Sequence, residues 1–117
     1  MKLEELEQAV PMDVRGTLSR FGGSRALVVR FLRKFPQDGA YSALAAAVER
    51  QDWPEVERSA HTLKGVAANL GLERVRTGSD ALVQTVRRGE TEAVSALFRG
   101  LQADYGAACG AIAALEE

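Results

Sequence analysis

The side chains best suited to chemistry in this chain lie around its single histidine, His61. Lys64 follows three residues later, and Gly65 comes directly after the lysine. An imidazole with an ordinary pKa of about 6.5 is mostly uncharged at neutral pH, so it can act as a nucleophile. An ammonium group one helical turn away can offset negative charge on a group bound to that imidazole. The spacing therefore indicates chemistry on an anionic group, centred on the histidine.

The histidine lies on a segment with helical periodicity, from about residue 54 to 70. Advancing about 100° per residue places the apolar side chains of this segment on one face. That face consists of Val56, Ala60, Leu63, Val66, Ala67 and Leu70, with Ser59 near its edge. His61 falls at the centre of the opposite face, which predicts that it is exposed to solvent. A lone histidine is more often a structural residue, and the helical phase argues against that interpretation here.

The neighbours of His61 on its own face are charged or small: Glu57, Arg58, Lys64, Gly65 and Ala68. A glycine inside a helix costs about 1 kcal/mol relative to alanine, so Gly65 needs a reason. An uncluttered surface that another protein can approach would supply one. The alternative is close packing of a neighbouring helix, which is less favoured because Gly65 points away from the apolar face.

Helical periodicity runs through almost the whole chain, and no stretch alternates with the period of a strand. Helices are predicted at about residues 12–21, 24–35, 37–51, 52–70, 72–88 and 90–115. Ser24 and Asp52 can cap two of them, Glu55 stands at the spacing of a capping box, and Gly71 can end the histidine helix. Short connections between long amphipathic helices predict an all-α fold. It is an antiparallel up-down four-helix bundle over about residues 37–115, with one or two shorter N-terminal helices, in a single domain over 1–117.

Composition excludes several classes of protein. The 117 residues carry 15 Lys and Arg against 16 Asp and Glu, a balance that argues against nucleic acid and anionic membranes as partners. Cys109 is the only cysteine, no signal peptide is apparent, and no apolar run is long enough for membrane insertion. These features predict a cytoplasmic protein. One histidine and one cysteine give little scope for a metal site.

The stretch from Ser59 to Gly71, SAHTLKGVAANLG, resembles the AHxLKGxAxNxG signature of histidine-containing phosphotransfer (HPt) domains. The lead-in at residues 50–53 and the end of the following helix at residues 87–89 are also similar to that family. The resemblance covers about residues 12–115. It implies a phosphocarrier of two-component phosphorelays, without kinase activity of its own.

The resemblance also implies partners and roles. The chain would relay a phosphoryl group between receiver-domain aspartates, from a hybrid sensor histidine kinase to a response regulator. His61 would be phosphorylated through Nε2, Lys64 would stabilise charge on the phosphoryl group, and Gly65 would provide steric clearance. The receiver would hold the Mg²⁺, so no cofactor or metal site is expected on this chain, which is expected to be a monomer. The residues expected to dock partners are Glu57, Arg58, Ala68, Asn69 and Val83.

One position departs from the family pattern. Many relatives carry Glu or Gln on the next helix, aimed at the imidazole, where this chain has Val83. Gln84 lies about 100° further round that helix. Direct phosphorylation at the ATP site of a kinase is therefore less favoured than relay from a receiver. Val83 is expected to add apolar contact to the docking surface.

Two other classes of protein stay as alternatives. An HPt-like adaptor would bind receivers or kinases without transferring phosphate, and it could dispense with the histidine or the lysine, both of which this chain keeps. A hydrolase would need a nucleophile and an acidic group near His61, and the helical phase supplies only Glu57.

Overall fold

The computed structural model describes residues 1–117, and every regular element in it is helical. The α-helices are α1 Leu3–Ala9, α2 Val14–Arg20, α3 Arg25–Lys34, α4 Gly39–Arg50, α5 Trp53–Asn69, α6 Glu73–Arg87 and α7 Val94–Ala113. Two 3₁₀ turns, Phe35–Gln37 and Thr91–Ala93, lead into α4 and α7. No helix combines the length and the apolar character that crossing a membrane requires.

The last four helices form the predicted antiparallel up-down bundle. Each of α4, α5 and α6 packs on the next helix along the chain, and α7 also contacts α4. One cluster of 25 buried hydrophobic residues fills the interior, and α1 to α3 contribute to it. The two expected leading helices are α2 and α3, and α1 precedes them. Only Leu3 and Leu6 of α1 are buried, so its periodicity is too short to stand out in the sequence.

The helix that carries the histidine begins at a side-chain cap, as predicted. The Asp52 carboxylate accepts a hydrogen bond from the backbone N–H of Glu55 at 3.3 Å. The expected capping box is wrong, however, because the Glu55 carboxylate accepts from Arg58 and Ser59 instead. A charge-assisted hydrogen bond to a guanidinium is stronger than one to a neutral backbone amide, which accounts for the difference.

The turn between α5 and α6 is held by the segment that precedes α2. Gly71 has φ +69°, the left-handed conformation predicted for it. The amide of Asp13 donates to the Gly71 carbonyl at 2.9 Å, and the amide of Glu73 donates to the Pro11 carbonyl at 3.2 Å. These bonds fix the C-terminal end of α5, and with it the helix that presents His61.

Candidate functional site

His61 lies exposed on α5, as the helical phase predicts. The buried face of α5 consists of Val56, Ser59, Ala60, Leu63 and Ala67. Because these residues pack into the bundle, the opposite face turns outward. The His61 ring takes part in no hydrogen bond or ion pair with another residue. It is therefore an unengaged imidazole, open to a partner, and its two flanks differ in character.

The flank towards α6 carries paired charges. Lys64 Nζ lies 3.0 Å from Asp80 Oδ1, and Glu57 Oε2 accepts from Arg87 Nε at 3.0 Å. The sequence places Lys64 and Glu57 beside His61, and the structure shows that both reach across to α6. Lys64 thus follows His61 by one turn of α5, while its ammonium is bound to a carboxylate of α6.

Asp80 is the site residue that the sequence analysis missed. Its Oδ1 accepts from Lys64 at 3.0 Å and from Gln84 Nε2 at 3.4 Å. The hydrogen bond from Lys64 and then that from Gln84 hold the pKa of the Asp80 carboxyl below its ordinary value. Asp80 precedes Gln84 by one turn of α6. The sequence could have identified it only with the register of α6 against α5, which periodicity does not give.

The flank towards α3 is an open groove. It is lined by Phe31, Lys34, Phe35, Asp38, His61, Thr62, Gly65, Val66, Asn69 and Leu70. The side chain of Phe31 is 39% exposed, although its position on the apolar face of α3 predicts burial. Lys34 Nζ lies 5.4 Å from the centroid of the Phe31 ring, and this lysine has no carboxylate partner within ion-pair distance. The groove therefore presents an apolar ring and a cation beside the histidine, and it also carries the Asp38 carboxylate, which accepts from the backbone N–H of Ala40.

Gly65 forms bare surface between His61 and this groove. It is exposed, and a Cβ built on it would meet nothing within 4 Å. Close packing of a neighbouring helix is therefore not the reason for this glycine. The space around it agrees with the steric clearance expected of it.

The other expected docking residues differ in how freely they face solvent. Arg58 is exposed and is paired with Glu55 at 2.8 Å, while Ala68 is half-buried. Asn69 is exposed, and its backbone carbonyl accepts from Arg20 Nε at 3.2 Å. These residues border the face of His61.

The expected contribution of Val83 to a docking surface is wrong, because its side chain is 1% exposed. α6 packs against both α5 and α7, so its buried face is wider than a single apolar stripe. Leu82 and Val83 are both turned into the core. Asp80 is the residue of α6 that pairs with Lys64, and Gln84 donates to Asp80.

The arrangement around His61 suits the transfer of an anionic group. No group of three or more His, Cys, Asp and Glu side chains is placed to hold a metal ion. An exposed imidazole with an ammonium one turn away can accept an anionic group whose charge the ammonium offsets.

The family model of the Hpt domain matches residues 26–111 of the 117-residue chain. No curated protein and no solved structure matches this chain. The matched region runs from α3 into α7 and includes the helix with His61. Hpt domains serve in histidine phosphotransfer within phosphorelays, and the all-helical fold agrees with the match. The chain therefore belongs to the Hpt domain family.

Proposed function

We propose that this chain relays a phosphoryl group between receiver-domain aspartates, with His61 as the carrier. The observation that supports this most directly is the unengaged imidazole at the centre of the exposed face of α5. Lys64 stands one turn away, and Gly65 leaves open surface beside the ring. Family membership gives the general role in phosphorelays, and these residues give it a chemical centre.

In the proposed reaction, the unprotonated Nε2 of His61 attacks the phosphorus of a receiver's aspartyl phosphate in line. The new N–P bond forms as the P–O bond to the aspartate breaks, and that electron pair leaves with the carboxylate. The second ring nitrogen keeps its proton through the transfer. Lys64 offsets charge on the phosphoryl oxygens, and Mg²⁺ remains with the receiver's own carboxylates. Reversal of the same step delivers the group to a second receiver, so the chain needs no kinase activity.

We place the docking surface over Gly65 and the groove towards α3. On the α6 flank the charges are paired with one another, whereas the groove exposes Phe31 and the unpaired Lys34. A receiver site built from aspartates is complementary to such a cation. Phe31 therefore takes the apolar docking role that the sequence analysis assigned to Val83. Glu57, Arg58, Ala68 and Asn69 border this surface.

The direct test is incubation with phosphorylated receiver domains, followed by acid treatment of the labelled product. We expect an acid-labile phosphohistidine on the wild-type chain and none on His61→Ala or His61→Gln. Because His61 is exposed, both variants should keep the helicity and melting temperature of the wild type. Lys64→Ala should slow transfer without abolishing it. Label that persists on the His61 variants would overturn the assignment.

A pair of glycine variants tests the docking surface separately from the chemistry. Gly65→Ala and Gly106→Ala each add one methyl group at an exposed helical position with nothing within 4 Å. Each should raise stability by up to about 1 kcal/mol, since alanine is the better helix former. Only Gly65→Ala should slow transfer from a receiver. Equal transfer rates for the two variants would place the receiver elsewhere on the domain.

The alternative is an adaptor that binds receivers without accepting phosphate. The pairing of Lys64 with Asp80 is the observation that favours it, because a bound lysine is less free to assist transfer. The two functions differ in one measurement. The adaptor would be established by a receiver that binds the wild-type chain tightly and that, when phosphorylated, never transfers its label to His61.

A further inference from the structure

We propose that Asp80 competes with the phosphoryl group on His61 for the ammonium of Lys64. It binds the Lys64 ammonium while His61 is unphosphorylated and releases it to the phosphoryl group once His61 is phosphorylated. This inference rests on the proposed function, since it concerns the same lysine and the same histidine. It assigns Asp80 a part in phosphotransfer, although Asp80 lies outside the signature around His61.

Lys64 lies one helical turn from His61 and pairs with a carboxylate of the neighbouring helix. Lys64 and His61 are three residues apart on one face of α5, and Asp80 approaches Lys64 from α6. Gln84 also donates to Asp80 Oδ1, at 3.4 Å, and so holds the carboxylate in place when the lysine leaves. The long side chain of Lys64 can therefore change partner while the backbones of both helices stay fixed.

The energetics favour an exchange over a fixed pair. The Lys64 and Asp80 side chains are 35% and 37% exposed, so water screens their attraction, and such pairs contribute little. A phosphoryl group carries up to two negative charges and three strong acceptor oxygens, against one charge on Asp80. The exchange makes and breaks no covalent bond. It requires only that the phosphoryl group compete successfully for the ammonium.

Competition has a measurable consequence. Asp80 holds the ammonium away from the phosphoryl group and adds a negative charge nearby, so it makes phosphorylated His61 less favourable. Removing its charge should therefore raise the equilibrium ratio of phosphorylated to unphosphorylated protein. The known strength of exposed ion pairs limits the effect to about two- to fivefold.

The experiment measures this ratio at equilibrium with a phosphorylated receiver, for wild type, Asp80→Asn, Lys64→Met and the double variant. We expect a rise for Asp80→Asn and a fall for Lys64→Met. In the Lys64→Met background, Asp80→Asn should give a much smaller rise, because its effect runs through the lysine. Glu90→Gln is the matched control: it removes one carboxylate from a surface ion pair with Arg88, and it should leave the ratio unchanged.

Two results would overturn the proposal. If Asp80→Asn lowers the ratio as Lys64→Met does, then Asp80 prepares the lysine for transfer instead of competing for it. If Asp80→Asn raises the ratio equally in both backgrounds, then it acts by its own charge and not through Lys64.

A second measurement needs no substitution at Asp80 and no partner protein. Phosphoramidate phosphorylates exposed histidines directly, so it loads His61 whether or not a receiver does. With ¹⁵N-labelled lysine, we expect the Lys64 Nζ resonance to shift on phosphorylation while that of Lys2, which lies outside the groove beside His61, stays in place. An unmoved Lys64 resonance would refute the exchange. Failure of every receiver to label His61 would instead refute the relay, so the two failures are distinct.

Discussion

Replacing Gly71 with alanine tests how the segment before α2 holds the histidine helix. Gly71 has φ +69°, and a Cβ there would meet the side chain of Thr17 and lie 2.7 Å from the backbone oxygen of Asp13. Gly89 has φ +73° at the end of α6, and a Cβ there would meet nothing within 4 Å. The two glycines share a left-handed backbone and differ in their surroundings. Their comparison therefore isolates the contact with the leading segment.

The expected magnitudes follow from this difference. A left-handed conformation costs an alanine about 1–2 kcal/mol, and the loss of unfolded-state freedom returns part of it, which leaves about 1 kcal/mol for Gly89→Ala. Gly71→Ala must also displace the backbone of Asp13 and strain its hydrogen bond to the carbonyl of residue 71, for about 2 kcal/mol more. Gly71→Ala should therefore lose about 3 kcal/mol in total. At about 4 °C per kcal/mol, the melting temperature should fall by about 12 °C for Gly71→Ala and by about 4 °C for Gly89→Ala.

Urea titrations followed by circular dichroism give both free energies of unfolding, provided that the two variants unfold in a single transition. Equal losses for Gly71→Ala and Gly89→Ala would refute the reasoning, because they would show that residues 13 and 17 do not confine Gly71. A smaller loss for Gly71→Ala than for Gly89→Ala would refute it more strongly.

Three further predictions concern burial and charge. Val83→Ala should lower the free energy of unfolding by about 2 kcal/mol without changing the transfer rate, because the side chain of Val83 lies in the core. A variant with wild-type stability and slow transfer would contradict this burial. The hydrogen bond from Lys64 lowers the pKa of Asp80, so the stability this carboxylate adds is present above about pH 4 and lost as pH falls through its folded-state value. Urea titrations should show the gap between wild type and Asp80→Asn closing in acid, and a gap that is constant with pH would refute this. Burial raises the pKa of Cys109, which favours the protonated thiol in the folded chain. The free energy of unfolding should therefore fall as pH rises above about 9. Cys109→Ser should lessen that fall, and an unchanged slope of the free energy of unfolding against pH would contradict this.

The exposure of His61 and the four-helix bundle could both be predicted from the periodicity of the apolar residues. The spacing of apolar residues on a helix states which face is buried, and therefore which face is not. His61 lies opposite the stripe that includes Ala60 and Leu63, and no tertiary contact was needed to see this. The left-handed end of α5 at Gly71 was predictable for a similar reason, since it depends on local backbone conformation.

The partners of the site residues could not be predicted, because they depend on the register and rotation of one helix against another. Lys64 meets Asp80 only in the register that α5 and α6 adopt against each other, and the sequence of either helix alone does not predict that register. The same holds for Val83, whose burial follows from the contact of α6 with two neighbours. Phe31 lies on the same face of α3 as the buried Val28 and Leu32, and it is exposed to the groove because α3 lies at the edge of the bundle.

The surroundings of His61 bear on which phosphodonor it can use. No carboxylate or amide contacts the ring: Glu57 is bound to Arg87, and Asp80 is bound to Lys64 and Gln84. No residue is therefore placed to take a proton from the imidazole or to raise its nucleophilicity. In the proposed relay, reaction at such an unassisted ring depends on a donor that is already activated, as the aspartyl phosphate of a receiver is.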